Sequence, residues 1–316
     1  MCHVRRLGEA FKFLRRNDSD QLTTNKTTTF LQQDSVDIAF RSTYSLRNSI
    51  FLPVYTPPFE PLGSALNMRL LKSNADGSFG LTRFTGNNVP SYAILSHVWE
   101  ADDQEVTFHD LINCLGSNKK GYRKIQFCSE QAERDGLRYF WVDSCCVDKS
   151  SSIELQTAIN SMFRWYWNSA KCYVYLSDVS MGKCSGFSGL SWEPAFRQSR
   201  WFTRGWTLQE LLAPQSVEFF SRDGKLLGNK GSLEQQIHEI TGIAVKALQG
   251  HLSQFSDDER RMWAAKRETT IEEDQVYCLL GIFDVYLPLI YGEGKKHAFR
   301  RLQDEIDRRT QGILTA

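Results

Sequence analysis

The stretch RYFWVDSCCVDKSSSIELQTAINSMFRWYWNSAKCYVYL at residues 138–176 holds two short apolar runs separated by a segment with helical periodicity. The runs Arg138–Val142 and Lys171–Leu176 predict buried strands. Between them, Ser152–Asn168 carries apolar residues at the spacing of one helix face. A strand, a helix and a second strand in this order predict a parallel pair joined by a right-handed crossover.

The predicted helix has its own start signal and apolar face. Ser151 or Ser152 can act as the N-cap, and Glu154 in the first turn suits the positive end of the helix dipole. The apolar stripe comprises Ile153, Ala158, Ile159, Met162 and Trp165 or Tyr166. Such a stripe is typical of a helix that packs on a core.

The same pattern recurs on both sides of this stretch. Upstream, the apolar run Tyr92–Ser96 precedes a helix over Lys119–Gly136, and downstream a helical Thr203–Leu212 precedes a strand at Ser216–Phe220. Three strand–helix–strand units in series predict an α/β fold. We expect a doubly wound parallel sheet of about four to five strands, with helices on both faces.

The composition divides the chain into three parts. Residues 1–66 contain a TTNKTTT tract and the turn-rich PVYTPPFEPLG, which predict a flexible leader, with a partner-binding arm as the alternative. Residues 67–310 carry the pattern of a folded domain, which begins with short strands at Met68–Leu71 and Phe79–Phe84. Beyond Ser232 this pattern is helical, so additional C-terminal helices should pack at the sheet edge. Residues 311–316 form a short tail.

Composition and charge bear on whether the chain binds nucleic acid or membranes. Hydrophobic residues make up 41% and charged residues 24% of the chain, as in an ordinary globular protein, and the net charge is +1. This balance gives no argument for a nucleic acid or a charged membrane surface as a partner. The longest apolar run, Val276–Tyr291, is interrupted by Asp284 and Pro288 and predicts buried core, so no membrane span is expected.

The eight cysteines are scattered along the chain, and several lie inside apolar runs. The first thirty residues are polar and basic, without the apolar core of a signal peptide. Buried, reduced thiols in a cytosolic protein are therefore predicted. No CxxC or HxxxH pair has the spacing of metal ligands, so we expect no metal site.

Three segments should gather at one edge of the sheet, because ligands of open parallel sheets bind beyond the carboxyl ends of the strands. They are Ser96–Asp103, Asp143–Lys149 and Ser177 onward. A hydrolytic triad of Ser96, His97 and Asp143 is conceivable, but no GxSxG turn presents a nucleophilic serine.

Other candidates have simple structural explanations. Cys145 or Cys146 would need a base such as His97 or His109, and structural burial is the favoured interpretation of both thiols. Asp143 ends a buried strand, so it either caps the next loop or contacts a ligand. The GEGK sequence at residues 292–295 lacks P-loop spacing and predicts a tight turn before the last helix.

The segment RWFTRGWTLQELL at residues 200–212 is the most informative. On a helix from Thr203, Trp206 and Glu210 are four residues apart and share a face. A carboxylate against aromatic surface tends to have a raised pKa, which suits acid–base work or the stabilisation of a cation. The alternative is an ion pair of Glu210 with Arg204 or Arg200 that fixes the helix.

Several long motifs together resemble the heterokaryon-incompatibility (HET) domain of filamentous fungi. They are YAILSHVW at residues 92–99, FWVDSCCVDKSSSIE at 140–154, RGWTLQELL at 204–212 and WAAKRETTIEEDQVYCLLGIFDVYLPLIYGEG at 263–294. Their order and spacing also match. The resemblance covers residues 67–310 and implies a role in regulated cell death after recognition of non-self.

The HET fold is thought to be similar to the TIR (Toll/interleukin-1 receptor) fold, and the order of strands followed by a WxxxE helix fits that likeness. Enzymatic TIR domains cleave NAD at the nicotinamide–ribose bond with a glutamate in such a segment. The resemblance thus implies Glu210 as the catalytic residue and NAD as a substrate, with no separate cofactor. Residues implied to line the substrate pocket are Ser96, Trp99, Asp143, Arg204 and Trp206.

Three functional hypotheses follow. The first is an NAD-cleaving effector that uses Glu210, and the second is a non-catalytic signalling module that acts by homotypic assembly. A nucleophilic hydrolase based on Cys145 is the third. Self-association is expected under either of the first two, together with an incompatibility partner protein.

Overall fold

Seven strands form one mixed sheet in residues 67–86, 88–181 and 192–314, the part of the chain that this computed structural model describes. The strands are β1 (Asn67–Ser73), β2 (Phe79–Thr85), β3 (Tyr92–His97), β4 (Tyr139–Trp141), β5 (Lys171–Leu176), β6 (Val217–Ser221) and β7 (Leu226–Asn229). Their order across the sheet is β2-β1-β4-β3-β5-β6-β7. The predicted leader, residues 1–66, and most of the Gly/Ser-rich loop after β5 lie outside the described residues.

The centre of the sheet is the parallel core that the sequence predicts. Strands β4, β3, β5 and β6 are parallel neighbours, in the flavodoxin-type order of doubly wound sheets. The predicted count of four to five strands is too low, because an antiparallel hairpin, β1 and β2, extends one side and β7 extends the other. Strand β7 has four residues with Gly228 inside, so it lacks the apolar alternation that marks a strand.

Helices cover both faces of the sheet, as expected for right-handed crossovers that run in opposite directions. The first six helices are α1 (Phe108–Ile112), α2 (Tyr122–Arg134), α3 (Asp143–Cys146), α4 (Ser152–Asn168), α5 (Glu193–Arg197) and α6 (Thr207–Leu212). On one face, Phe127 of α2 packs 4.9 Å from the ring of Tyr175. On the other face, Trp165 of α4 packs 5.5 Å from Trp141.

Helix α4 confirms most of its predicted details. Ser151 is the N-cap and accepts a hydrogen bond from the amide of Glu154. The predicted stripe is buried except for Ile153, which is 81% exposed. Ile153 lies nine residues before the buried Met162, which is two and a half turns, so the two side chains point in opposite directions.

The predicted helix over Thr203–Leu212 is wrong in its first half. Residues Arg200–Thr203 form a 3₁₀ turn, and α6 begins only at Thr207. Arg204 instead forms a parallel bridge with Glu268, and the Gly205 amide donates to the Glu268 carbonyl at 2.8 Å. A side chain at Gly205 would collide with Thr269, so the close approach of this second segment interrupts the helix.

The C-terminal part is helical, as predicted. Its helices are α7 (Glu234–Thr241), α8 (Val245–Leu248), α9 (Asp257–Ala264), α10 (Asp274–Tyr277), α11 (Leu280–Phe283) and α12 (Lys295–Leu314). Helix α12 extends to Leu314, into the region predicted as a tail. None of the helices among the described residues is long and apolar enough to cross a lipid bilayer.

Candidate functional site

A cavity of about 440 Å³ lies at the carboxyl edge of the sheet, where β3 and β4 end. This is the position at which doubly wound sheets bind ligands, and the volume is typical of a small-molecule site. Its apolar lining comes mainly from α4, and comprises Val98, Val147, Leu155, Ala158, Ile159, Met162 and Ile271. Its aromatic and polar lining comprises His97, Trp99, Asp143, Lys149, Arg204, Trp206, Thr207, Glu210, Thr270 and Tyr291.

Five of the six predicted site residues line this one cavity, and the sixth, Ser96, contacts a lining residue directly. Ser96 on β3 donates its hydroxyl hydrogen to Oε2 of Glu210 on α6 at 2.5 Å. The indole of Trp201 in turn donates to the Ser96 hydroxyl at 2.8 Å. The structure therefore brings together all the residues that the resemblance implied.

Glu210 is 5% exposed, and its buried carboxyl has a raised pKa. Burial raises the pKa of Glu210 to about 8, and the negative charge of Asp143 adds to this rise, while Ser96 and Arg267 oppose it. At neutral pH the Glu210 side chain is therefore mostly protonated. A cation placed beside it would favour the carboxylate.

Trp99 and Asp143 are joined by a hydrogen bond at the mouth of the cavity. The Trp99 indole donates to Asp143 Oδ2 at 2.8 Å, and Lys149 Nζ lies 3.4 Å from the centre of the Trp99 ring. The Asp143 carboxylate is 3.8 Å from both the Lys149 ammonium and His97 Nδ1. Asp143 thus contacts other side chains of the cavity, although it also begins the one-turn helix α3 in the segment predicted as a loop.

A buried ion pair between Lys124 and Glu105 stabilises the loop after β3. Lys124 Nζ donates to Glu105 Oε2 at 2.6 Å and to the carbonyl of Val98. Burial alone would raise the pKa of Glu105, but hydrogen bonding and charge from His97 and Lys124 outweigh it and hold this pKa well below its ordinary value. The fixed charges keep the loop that carries Trp99 in place.

Neither nucleophilic alternative is assembled by this geometry. Ser96 contacts Glu210 and Trp201, whereas His97, the next residue on the strand, faces Glu105 and Asp143. Consecutive strand residues point to opposite faces, so His97 is not placed to deprotonate Ser96.

The thiol alternative also fails. Cys145 is fully buried, and this burial raises the pKa of its thiol well above the ordinary value, against formation of a reactive thiolate. Of the six cysteines that the structure describes, five are buried as predicted and Cys114 is exposed, and all six are free thiols.

The alternative of an ion pair between Glu210 and Arg204 or Arg200 is not what the structure shows. Arg204 donates to the Thr270 hydroxyl at 3.2 Å, and Arg200 lies 3.8 Å from Asp178. Asp178, in the third predicted edge loop, accepts from the Arg200 amide and does not line the cavity.

The ends of α6 are held by two buried cations that sequence reasoning missed. Arg267 donates to the Arg204 carbonyl at 2.9 Å and to the Thr207 hydroxyl at 2.8 Å, at the first turn of the helix. Lys230 donates to the carbonyl of Leu211 in the last turn and to that of Pro214 just after the helix. Burial lowers the pKa of Arg267 to about 10 and that of Lys230 to about 8. The sequence offers no spacing signal for either, because both lie far along the chain from Glu210.

Comparisons with known proteins agree with the motifs. The model of the family described as heterokaryon incompatibility protein (HET) matches residues 92–196. The chain is also 55% identical over 241 residues to the vegetative incompatibility protein HET-E-1 of Podospora anserina. This chain carries a HET domain. The match covers 76% of this chain and 18% of that relative, so the chain spans about a fifth of the curated protein it resembles. No solved structure gives a significant match.

The residues matched by the family model include Ser96, Trp99 and Asp143, and the match ends before Glu210. The walls of the cavity that are formed by Ile271 and Tyr291 belong to the long C-terminal motif instead. There, Tyr291 and the indole of Trp206 both donate to Asp274, at 3.0 and 3.2 Å. The cavity is therefore closed by segments that are distant in sequence.

The GEGK sequence forms the predicted turn before α12. The amides of Gly292 and Gly294 donate to Glu273 Oε1 at 2.8 and 2.9 Å, so a carboxylate of the same chain binds them. Within residues 67–86, 88–181 and 192–314, no group of three or more His, Cys, Asp or Glu side chains is placed to hold a metal ion.

Proposed function

We propose that this chain is an effector of regulated cell death in heterokaryon incompatibility, and that its HET domain hydrolyses NAD between nicotinamide and ribose with Glu210 as the catalytic residue. One observation carries this proposal: a buried carboxyl faces an apolar and aromatic cavity at the carboxyl edge of a doubly wound sheet. The likeness of the HET domain to incompatibility proteins supports the biological role.

The reaction needs stabilisation of positive charge on the ribose. The C1′–N1 bond breaks, and its electron pair moves to the pyridine nitrogen, which leaves as neutral nicotinamide. Water adds to C1′ and gives ADP-ribose and one proton. Carboxylates stabilise such oxocarbenium-like centres in glycoside cleavage. Because the bound nicotinamide ring is cationic, it favours the carboxylate form of Glu210. That form is the one that stabilises positive charge on the ribose.

The other cavity residues suit the same substrate. Trp206 and Tyr291 offer aromatic surface to the nicotinamide ring, and their polar hydrogens are directed to Asp274. Asp143 supplies a second negative charge near the reacting centre. Arg204 lines the same cavity as a cation available to a phosphate group.

The proposed likeness to TIR domains is supported by topology and by one local motif. The parallel core has the flavodoxin-type strand order, and Trp206 and Glu210 of the WxxxE segment both line the cavity. The first feature is the order of the strands in the sheet, and the second is the location of two motif side chains at the cavity.

A second candidate function, assembly without catalysis, is favoured by the edge of the sheet. Strand β2 has seven residues, and its outer edge pairs with no strand among the described residues. Such an edge can pair with a second chain. Assembly of this kind is also compatible with an enzyme that is active only as an oligomer.

The proposal is tested by incubating purified protein with NAD over a range of protein concentrations and measuring the release of nicotinamide. Glu210→Gln and Glu210→Ala should abolish the release. Glu239→Gln is the matched control, because Glu239 is an exposed glutamate that pairs with Arg197 outside the cavity. It should leave the rate unchanged.

Expression in cells separates the two functions. Loss of toxicity in Glu210→Gln, with normal folding, is expected for the enzyme. If Glu210→Gln remains toxic, or if no concentration of the wild type releases nicotinamide, the enzymatic proposal fails and assembly becomes the better account.

A further inference from the structure

A second cavity, of about 290 Å³, adjoins the Glu210 cavity. Trp99, Val147 and Lys149 line both, so these three residues form the boundary between them. The rest of the second cavity is lined by Asp102, Glu105, Thr107, Phe108, His109, Ser144 and Ser150. It lies beside α1 and α3, at the same edge of the sheet.

Ser144 indicates that this second cavity binds something. The residue is 3% exposed, and its hydroxyl has no hydrogen-bond partner in the part of the chain that the structure describes. A buried hydroxyl without a partner is costly, and most such groups in folded proteins are satisfied. A ligand group in the cavity would supply the missing partner.

Lys149 presents unused hydrogen-bond donors at the boundary. Its ammonium lies 3.4 Å from the centre of the Trp99 ring and 3.8 Å from Asp143 Oδ2, and it donates no hydrogen bond to the described residues. A cation held in this way between two cavities suits an anionic group that passes from one to the other.

The two acids of the second cavity restrict what enters it. Glu105 is kept ionised by Lys124, and Asp102 is a second carboxylate. They disfavour a phosphate inside the cavity and can accept hydrogen bonds from hydroxyl groups. Phe108 and Trp99 add aromatic surface on which a flat ring can stack.

On the basis of the proposed function, we propose that the second cavity binds the adenosine half of a dinucleotide while the Lys149 ammonium contacts the pyrophosphate. The order of groups in the substrate matches the order in the protein. A nicotinamide riboside in the Glu210 cavity is followed by two phosphates at the cation of the boundary. The neutral adenosine then meets aromatic and acceptor groups.

The test measures binding of ADP-ribose, which lacks nicotinamide, by titration calorimetry. Ser144→Val removes the hydroxyl and fills part of the cavity, and it should weaken ADP-ribose binding by about tenfold, the value of one good hydrogen bond. Lys149→Met should weaken it by a similar factor and reduce its dependence on salt. Ser129→Val is the control and should bind as the wild type does, because Ser129 is a partly buried serine of α2 whose hydroxyl bonds to Ser73 and which lines neither cavity.

A second measurement keeps the inference independent of the folding of one variant. Wild-type protein should release nicotinamide from NAD at least about ten times faster than from nicotinamide mononucleotide at low substrate, because only NAD reaches the second cavity. Phe108→Ala should reduce this preference by slowing the reaction with NAD more than the reaction with the mononucleotide.

The outcomes distinguish the two proposals. Equal rates with NAD and the mononucleotide, or ADP-ribose binding that is unaffected by Ser144→Val and Lys149→Met, overturn the second site while the Glu210 chemistry stands. Absence of cleavage with either substrate overturns the proposed function. In that case, ADP-ribose binding that depends on Ser144 still supports a nucleotide site in the second cavity. If ADP-ribose does not bind at all, that site is overturned as well.

Discussion

The hydroxyl of Ser96 donates to the Glu210 carboxyl at 2.5 Å and so joins β3 to α6 across 114 residues of chain. The single hydroxyl hydrogen is committed to this bond, and the lone pairs of the same oxygen accept from Trp201. Ser96 therefore positions the carboxyl and is not free to act as a nucleophile. The pair fixes the acid of α6 at the carboxyl end of the central parallel strand.

Ser96→Ala should raise the pKa of Glu210 further, because the hydrogen bond from Ser96 stabilises the carboxylate. A hydrogen bond to a charged group contributes about 1.5–3 kcal/mol, which corresponds to a rise of about one to two pKa units. Carbon-13 NMR of labelled glutamate carboxyls would follow the titration, with the Glu210 signal assigned by its loss in Glu210→Gln. An unchanged titration would show that the bond does not control the acid.

Glu210→Gln should stabilise the fold more at high pH than at low pH. Between the ordinary pKa of 4.5 and the folded-state pKa of about 8, the unfolded carboxyl has lost its proton while the folded one retains it, so rising pH favours unfolding. The effect is about 1.4 kcal/mol per pH unit within this window, and it is absent in the amide. Urea unfolding at intervals from pH 5 to 9 would measure the difference between variant and wild type.

That difference should increase across the window and level off above about pH 8. Glu239→Gln again serves as the control, because hydrogen bonds from Gln235 and Arg197 lower the pKa of Glu239 instead of raising it. A difference between Glu210→Gln and wild type that does not vary with pH would contradict the buried, protonated state of Glu210.

The core of the fold was predictable from local signals. Apolar runs such as Tyr92–Ser96 predict buried strands, and the apolar stripe of α4 predicts an amphipathic helix. The alternation of such strands and helices along the chain predicts the parallel core. Strand β7 was not predictable, because a short strand with a central glycine depends on its neighbour β6 for stability. The late start of α6 likewise depends on the close approach of Thr269 to Gly205, a tertiary contact that the local sequence does not reveal.

The site was predictable only in part. The resemblance singled out Glu210 and Trp206, and both line the cavity, but sequence spacing could not show that Ser96 would bond to Glu210. Arg267 and Lys230 act through backbone carbonyls, a role that any buried donor of suitable length can fill, so their residue types carried no mark of it. Such contacts follow from tertiary packing.

Binding of a cationic ring should release a proton from Glu210. 1-Methylnicotinamide, a permanent cation, is expected to bind more tightly as pH rises towards the pKa of about 8, by up to about tenfold per pH unit, and to level off above it. Calorimetry in buffers of different ionisation enthalpy would count the proton released. In Glu210→Gln both the proton release and the pH dependence should disappear, and their persistence would place the titrating group elsewhere.

Lys230→Met should loosen the end of α6. The substitution leaves the carbonyls of Leu211 and Pro214 without their buried donor, and each unsatisfied group costs about 1–3 kcal/mol. Chemical denaturation should therefore show a clear loss of stability. Lys225→Met, at an exposed lysine of the turn before β7, should be close to neutral, and equal effects of the two variants would refute the capping role.

The most direct test of the account follows the anomeric H1′ proton of the nicotinamide ribose in NAD by proton NMR, in the presence of the wild type or Glu210→Gln. We predict that this signal disappears with the wild type, while free nicotinamide and ADP-ribose appear in equal amounts, and that it persists with Glu210→Gln. An unchanged NAD spectrum with assembled wild-type protein, or equal cleavage by both proteins, would contradict the claim that Glu210 catalyses this reaction.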